Sequence, residues 1–289
     1  MKKVIFKGCA TALVTPFLDG EIDYKALDRL IDMQILDGIH ALVIGGTTGE
    51  AATLTDTERY SLFEAATEAT DGRVPLIFGT GTNDTTVALR HTKMAKRLGA
   101  DAALVVTPYY NKGTEDGIYY HYMKIAESTD LPIILYNVPQ RTGVNLSYSL
   151  LERLAKCENI VGIKEASDSA DRLSHVAALG DELPLFAGND SATLTAIALG
   201  GRGVISVASN LRPSLMASLA ELALDGKYEA ARALQFELLP LIDALFLETN
   251  PSPVKYAMSL LGLTSSEVRL PLSLPSAPTR ARLESLLQG

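Results

Sequence analysis

The six residues VGIKEA at positions 161–166 hold the most informative feature of the chain, a lysine inside a short apolar run. Such a run predicts a buried strand, in which successive side chains point to opposite faces. Gly162, Lys164 and Ala166 would share one face, and the other three residues, including Val161, would share the opposite face. Lys164 would then have small neighbours and open space around it.

A lone ammonium group in a buried strand is costly unless it has a function. Desolvation disfavours the charged form and lowers the pKa of a lysine. The resulting neutral amine can attack a carbonyl carbon and form a Schiff base. The alternative is a structural lysine that reaches solvent at a strand end or pairs with Glu165. Taken alone, Lys164 favours neither interpretation.

Seven further short apolar runs also predict strands, and the segments between them have helical spacing. Helix starts are indicated by the capping box TDTE at 55–58, by Asn83 and Asp84, and by Pro213. Eight such β/α units predict an α/β protein with a closed (β/α)8 TIM barrel, with an open doubly wound sheet as the alternative. The predicted strands are 10–14, 41–44, 76–78, 102–106, 133–136, 161–164, 184–187 and 203–207.

The chain continues beyond the eighth unit with a C-terminal extension of three helical segments. We expect a barrel domain over 1–226 and the extension over 227–289, with helices near 227–247, 252–262 and 276–288. Apolar residues in the first segment predict packing on the barrel or on another subunit. The extension shows no motif that indicates chemistry.

Composition excludes several classes of function. A net charge of -8 argues against a nucleic-acid partner, and no apolar stretch reaches membrane-spanning length, so we expect a cytoplasmic protein. Cys9 and Cys157 are too few and too far apart for a disulfide framework. The four histidines show no ligand spacing, so no metal is expected.

Polar motifs follow several of the predicted strands, at the end of a barrel where catalytic groups gather. The loop GGTTGE at 45–50 offers amides and hydroxyls to a carboxylate or phosphate, although a capped turn would look similar. TPYYN follows at 107–111, and YNVPQRTG at 136–143. Tyr136 is a candidate acid/base, and the planar fork of Arg141 suits a carboxylate. Taken singly, each is more often structural or solvent-facing.

Together, GGTTGE, TPYYN, YNVPQRTG and GIKEAS (162–167) resemble the dihydrodipicolinate synthase family, which belongs to the pyruvate-dependent class I aldolase and N-acetylneuraminate lyase superfamily. The resemblance spans the whole chain. It implies that Lys164 is the nucleophile that binds pyruvate, and that Tyr136 exchanges protons with the Schiff base. Thr47 would link Tyr136 to Tyr110, which in this family reaches into the site of a neighbouring subunit.

The resemblance also implies the substrate contacts. Thr48 would hold the pyruvate carboxylate, with Gly188 and Ile205 close to the bound pyruvate, and Arg141 would bind the carboxylate of the second substrate. Sugar-acid lyases of the superfamily tend to lack this arginine. Arg141 therefore favours L-aspartate 4-semialdehyde as the second substrate.

The implied reaction is the condensation of pyruvate with L-aspartate 4-semialdehyde to 4-hydroxy-tetrahydrodipicolinate, a lyase-class step of diaminopimelate and lysine synthesis. The resemblance implies no cofactor, because the lysine nitrogen serves as the electron sink. It also implies a homo-oligomer, a dimer at minimum and usually a tetramer. The alternatives are an N-acetylneuraminate or 2-keto-3-deoxygluconate aldolase, and a non-catalytic barrel that binds a keto acid.

Feedback inhibition by lysine is predicted to be weak or absent. Lysine-regulated relatives use residues matching Asn83 and Tyr109, together with an acidic side chain where this chain has Val87. They also carry histidines where this chain has Asp56 and Arg59. Valine cannot pair with an ammonium group, so the resemblance implies a poor lysine site.

Overall fold

Eight parallel strands close into a barrel in the computed structural model of the chain, which describes residues 2–167 and 169–288. The barrel strands follow chain order, and the last pairs with the first, as predicted for a TIM barrel. A separate antiparallel hairpin follows the first strand. In chain order the strands are β1 (Gly8–Ala12), the hairpin strands β2 (Phe17–Leu18) and β3 (Glu21–Ile22), β4 (Ala41–Ile44), β5 (Leu76–Gly79), β6 (Ala102–Val106), β7 (Ile133–Asn137), β8 (Ile160–Glu165), β9 (Leu185–Ala187) and β10 (Gly203–Ser206).

Helices cover the outside of the barrel and continue into the C-terminal extension. They are α1 (Tyr24–Leu36), α2 (Asp56–Thr70), α3 (Thr85–Arg97), α4 (Glu115–Ala126), α5 (Pro139–Thr142), α6 (Tyr148–Ala155), α7 (Ala170–Ala177), α8 (Thr193–Ala198), α9 (Pro213–Leu224), α10 (Tyr228–Leu245), α11 (Ser252–Leu260) and α12 (Ala277–Leu287).

The predicted helix starts are found where the sequence placed them. Thr55 and Glu58 form a reciprocal capping box at the start of α2, each satisfying a backbone amide of the other. The Asp84 carboxylate accepts from two amides at the start of α3. Pro213 opens α9, where its missing N–H has no helical partner to lose. Local sequence therefore sets these boundaries.

Two apolar clusters divide the core. The inner cluster consists of strand residues and their flanks, and the outer cluster fills the space between strands and helices. Phe6 precedes β1 and stacks on Phe186 with ring centroids 4.5 Å apart. These rings fill the end of the barrel where the strands begin, which leaves the opposite end for a cavity.

Strand β8 departs from simple alternation at Val161. Its register against β7 skips that residue, and Val161 joins the inner cluster. The prediction that Val161 shares the outer face with Ile163 is therefore wrong. Beyond the skip, the residues of β8 and its flank alternate as predicted. Ile163 packs in the outer cluster, and Ala166 packs in the inner cluster with Tyr136.

The extension consists of α10, α11 and α12, close to the predicted bounds. Helix α10 packs along α9 and α8, and α12 packs against α10 and α11. The outer cluster contains residues from both sides of the proposed boundary at 226/227, such as Leu219 and Leu238. Apolar packing thus fixes the extension to the barrel, while the division into two domains stays a prediction.

Candidate active site

A cavity of about 700 Å³ opens at the carboxyl ends of the barrel strands. It is lined by several residues that the sequence singled out, together with residues of the extension. Parallel strands bring their carboxyl ends to one face, so motifs far apart in the chain meet there. The sequence-predicted lining residues are Thr47, Thr48, Tyr136, Arg141, Lys164 and Gly188.

Lys164 lies near the end of β8 and is 5% exposed. It is paired in register with Tyr136 of β7, and its Nζ lies 4.6 Å from the centroid of the Tyr136 ring. Both side chains face the cavity. An amine and a phenol are thus held within reach of one small molecule.

Glu165 points away from this cavity, to the outside of the barrel. Its carboxylate accepts from Arg172 Nε at 3.1 Å, from Asn137 Nδ2 at 2.9 Å and from the Ser167 amide at 3.0 Å. The alternative interpretation, in which Lys164 pairs with Glu165, is therefore wrong. The buried Glu165–Arg172 pair instead joins the end of β8 to α7, on the outside of the barrel.

The loop GGTTGE connects β4 to α2 and carries Thr47 and Thr48 to the cavity. Gly45 has a φ of +62°, and a β-carbon there would lie 2.7 Å from the Phe63 ring. Glycine is therefore required where the loop turns. At the other end of the loop, Glu50 is buried with a left-handed φ of +54°.

Glu50 is held by the extension. Its Oε1 accepts from Lys255 Nζ at 2.6 Å and its Oε2 from the Arg269 amide at 2.9 Å. The side chains of Glu50 and Lys255 are both 0% exposed. Burial lowers the pKa of Lys255, and the Glu50 carboxylate opposes that shift. This contact joins the threonine loop to α11.

Arg141 lies in the one-turn helix α5, opened by Pro139 and ended by Gly143 at a φ of +66°. The Arg141 side chain donates to the carbonyl of Asn250 at 2.9 Å, and Asn250 Nδ2 donates to Thr48 Oγ1 at 2.9 Å. Asn250 thus connects the two predicted carboxylate-binding residues.

The ends of β9 and β10 close another side of the cavity. A β-carbon at Gly188 would lie 2.5 Å from that of Ala166, so the backbone approaches β8 closely. Asp190 is fully buried, and its carboxylate accepts from the amides of Val207 and Ala208 at 3.1 and 3.2 Å. Burial raises the pKa of Asp190, and hydrogen bonds and the charge of Lys164 oppose the shift. Ile205 packs in the inner cluster.

Tyr110 is not brought to this cavity within one chain. It is 88% exposed and has a φ of +70°, just beyond β6. Thr47 and Tyr136 line the cavity together, but the expected chain from Tyr136 through Thr47 to Tyr110 is incomplete in a single copy. An exposed tyrosine in a left-handed conformation is uncommon.

Comparisons with known proteins identify the family of the chain. The model of the dihydrodipicolinate synthetase family matches residues 5–289. The chain belongs to this family. A 4-hydroxy-tetrahydrodipicolinate synthase from Syntrophobacter fumaroxidans is 48% identical over 287 residues, covering 99% of both chains.

Solved structures of family members superpose over nearly the whole chain. Dihydrodipicolinate synthase from Thermotoga maritima is 43% identical, with a TM-score of 0.97 and coverage of 99% of this chain and 98% of that one. The enzyme from Cyanidioschyzon merolae, solved with lysine bound, is 38% identical, with a TM-score of 0.95 and coverage of 99% and 98%. The dihydrodipicolinate synthase fold is thus present from end to end.

A second cavity of about 420 Å³ shares Thr47 and Tyr136 with the first. It is also lined by Arg59, His91 and Tyr109. Arg59 donates to the carbonyls of Gly79 and Ala51 at 3.0 and 2.7 Å. Burial lowers the pKa of Arg59, and the lining also includes the carboxylate of Glu50, so charges of both signs border this cavity.

Sequence reasoning missed the contribution of the extension to the walls of the cavity and to the support of its threonine loop. Six of its residues line the larger cavity, and Asn250 and Lys255 hold the loop that carries Thr47 and Thr48. A lysine inside the apolar α11 was the one available signal, comparable to Lys164 in β8. The lining residues are Ile242, Asp243, Phe246, Glu248, Thr249 and Asn250.

Neither a metal centre nor a membrane span is found in the part of the chain that the structure describes. Within residues 2–167 and 169–288, no three histidine, cysteine, aspartate or glutamate side chains gather as ligands. Over the same residues, no helix is long and apolar enough to cross a membrane.

Proposed function

We propose that this protein condenses pyruvate with L-aspartate 4-semialdehyde to give 4-hydroxy-tetrahydrodipicolinate, in the synthesis of diaminopimelate and lysine. Membership of the dihydrodipicolinate synthetase family supports the proposal. The observation that carries it is Lys164, a buried amine at a strand end, 4.6 Å from the Tyr136 ring in a cavity of substrate size.

The reaction begins when Lys164 Nζ attacks the ketone carbon of pyruvate. The carbinolamine loses one water and becomes a protonated imine, and Tyr136 is the group placed to move the protons. The imine nitrogen withdraws electrons, so a methyl proton of pyruvate leaves and an enamine forms. No separate electron sink is required, which is why we propose that no metal or cofactor takes part.

The enamine carbon then forms a bond with the aldehyde carbon of the second substrate, whose oxygen gains a proton. The amino group of that substrate displaces Lys164 from the imine carbon, which closes the ring and frees the enzyme. An acceptor with both an aldehyde and an amino group is required for this ring closure. L-Aspartate 4-semialdehyde has both, and sugar acids lack the free amine.

Two carboxylates must be held while these bonds form. We assign the pyruvate carboxylate to Thr48, with Gly188 nearby, and the acceptor carboxylate to Arg141. Ile205, which packs in the inner cluster, is the further residue that we assign to pyruvate. A bidentate guanidinium contact fixes the direction from which the aldehyde approaches the enamine. Arg141 is thus the residue that we propose distinguishes this acceptor from a sugar acid.

We further propose that the working form is a homo-oligomer, a dimer at minimum and a tetramer in the full assembly. Tyr110 projects into solvent beyond β6, which suits a side chain that completes the site of a neighbouring copy. Thr47 would then relay protons between Tyr136 and Tyr110 of the partner subunit. The cytoplasm remains the expected location.

Borohydride reduction in the presence of pyruvate tests the Schiff base. We expect the peptide containing Lys164 to gain the mass of a reduced pyruvate adduct, and the Lys164→Ala variant to give none. The matched control is Lys124→Ala, because Lys124 also lies on the barrel but in the outer helix α4. An unmodified Lys164 peptide would instead favour a barrel that binds a keto acid without catalysis.

The acceptor requires a separate assay. The protein is given pyruvate with aspartate semialdehyde, and in parallel with N-acetylneuraminate or 2-keto-3-deoxygluconate for cleavage. We expect turnover only with aspartate semialdehyde. Turnover confined to the sugar acids would replace the proposed reaction by a sugar-acid aldolase that uses the same lysine.

A further inference from the structure

Asn250 joins the two carboxylate-binding residues of the site from outside the barrel. It lies between α10 and α11 and is 5% exposed. Its side-chain Nδ2 donates to Thr48 Oγ1 at 2.9 Å, and its backbone carbonyl accepts from Arg141 at 2.9 Å. It also lines both cavities. One residue of the extension therefore contacts the proposed holders of both substrates.

The direction of the side-chain hydrogen bond has a chemical consequence for Thr48. A threonine hydroxyl has one proton to donate and can accept through its lone pairs. Because Asn250 supplies the hydrogen in their contact, Thr48 keeps its own proton for another acceptor. A carboxylate is such an acceptor, and a hydroxyl held in place by an amide meets it at little cost in rotational freedom.

The surroundings of Asn250 leave its side chain no competing role. Its Oδ1 is buried without a hydrogen-bond partner among the described residues. Retaining an unpaired buried acceptor is costly, so packing alone would favour an apolar side chain. The donor group Nδ2 is therefore the part of the amide that this position requires.

We propose that Asn250 is a positioning residue for pyruvate, whose amide orients Thr48 so that the threonine hydroxyl donates to the pyruvate carboxylate. The inference rests on the proposed function and adds the extension to the pyruvate site. The contact with Arg141 uses the backbone carbonyl, so an uncharged change to the side chain affects pyruvate binding and leaves acceptor binding unchanged.

Asn250→Asp is the decisive variant because it keeps the shape and removes the donor. A carboxylate at this position accepts the proton of Thr48 and adds negative charge beside a carboxylate site. We expect the KM for pyruvate to rise about tenfold or more. Asn250→Ala leaves Thr48 free to rotate, and we expect a smaller rise of about threefold. The KM for aspartate semialdehyde stays the same in Asn250→Ala, which adds no charge beside Arg141.

Asn145→Asp is the matched control for the added charge. Asn145 is exposed, and its Oδ1 accepts from Asn137, a role that an aspartate retains. We expect its KM for pyruvate to equal that of the unchanged protein. A pyruvate KM for Asn250→Asp that is also unchanged would show that Thr48 is the donor in the contact, and would overturn the inference.

A double-mutant cycle with Thr48→Val separates positioning from general loosening of the site. If Asn250 acts through Thr48, Asn250→Ala raises the pyruvate KM in the unchanged protein and has no further effect in Thr48→Val. The inference would be overturned if the increases in pyruvate KM from the two single variants multiplied in the double variant. Equal increases in the KM of both substrates would also overturn it.

Reduction of the pyruvate adduct distinguishes failure of this inference from failure of the proposed function. At saturating pyruvate, borohydride should trap the adduct on Lys164 in the unchanged protein and in each Asn250 variant. Absence of the adduct from the unchanged protein would overturn both proposals. Trapping in every variant without the expected order of pyruvate KM values would overturn the role of Asn250 alone.

Discussion

Lys164 and Tyr136 are register partners on adjacent strands, with the lysine Nζ 4.6 Å from the centroid of the tyrosine ring. The pairing of β7 with β8 fixes their separation, so their relative position does not depend on a mobile loop. The amine and the phenol therefore face the same cavity from the ends of adjacent strands.

Tyr136→Phe keeps the ring beside Lys164 and removes the hydroxyl. We expect kcat to fall about 10²- to 10⁴-fold, the usual range for loss of a proton-transfer group. Borohydride should still trap pyruvate on Lys164 after longer incubation. Tyr120→Phe, at a tyrosine 66% exposed on α4, is the control. A kcat within twofold of the unchanged protein would remove Tyr136 from the mechanism.

Arg141→Met removes the fork proposed to bind the acceptor carboxylate. We expect the KM for aspartate semialdehyde to rise about 10- to 100-fold, with the pyruvate KM unchanged, because a charged hydrogen-bonded contact is lost. Arg97→Met, at the exposed end of α3, controls for the loss of charge. Steady-state kinetics with each substrate varied in turn gives both KM values. A rise confined to the KM for pyruvate would contradict this role.

Acid should destabilise the protein through His121. Burial lowers the pKa of this histidine to about 4, whereas an unfolded histidine titrates near pH 6.5. The folded state therefore resists protonation, and the free energy of unfolding declines as the pH falls from about 6.5 to about 4. The full loss is about 3 kcal/mol.

His121→Gln should remove this part of the pH dependence. The free energy of unfolding, measured with urea at pH 7.5, 5.5 and 4.5, is compared between the variant and the unchanged protein. His175→Gln provides the control, because His175 lies on the surface of α7. Parallel pH profiles for the His121 variant and the unchanged protein would show that His121 does not contribute.

Lys255→Met should destabilise the protein by about 3–5 kcal/mol, because it leaves the buried carboxylate of Glu50 without its partner. Replacing both residues, as in Glu50→Gln with Lys255→Met, should restore part of the loss. Thermal unfolding of the three proteins at one concentration gives the comparison. A double variant less stable than Lys255→Met would contradict the pairing argument.

Lysine should inhibit the enzyme weakly or not at all. Val87 offers no charge to an ammonium group, and Asp56 and Arg59 stand where lysine-regulated relatives carry histidines. Activity measured against added lysine tests this directly, and half-maximal inhibition in the submillimolar range would contradict it. Introducing an acidic group with Val87→Glu should lower the concentration of lysine required.

The barrel and the strand-end motifs could be predicted because their signals are local. Each strand is a short apolar run, and the helix starts carry caps that act within three residues. The register skip at Val161 could not be predicted, because it depends on how β8 pairs with β7. Alternation in one strand contains no information about its neighbour.

The roles of Asn250 and Lys255 were missed for a different reason. Their partners, Thr48 and Glu50, are 202 and 205 residues away in the chain. Neither an isolated asparagine before a proline nor a lysine in a helix identifies a partner at such a distance. Only the folded arrangement brings the extension to the loop after β4.

The Glu50–Lys255 contact can form only late in the synthesis of the chain. The chain is made from its N-terminus, so Lys164 and Tyr136 emerge long before Lys255 is added. Until then the threonine loop lacks its partners from α11. A growing chain therefore contains the lysine and the tyrosine of the cavity before it contains the residue that secures the threonine loop.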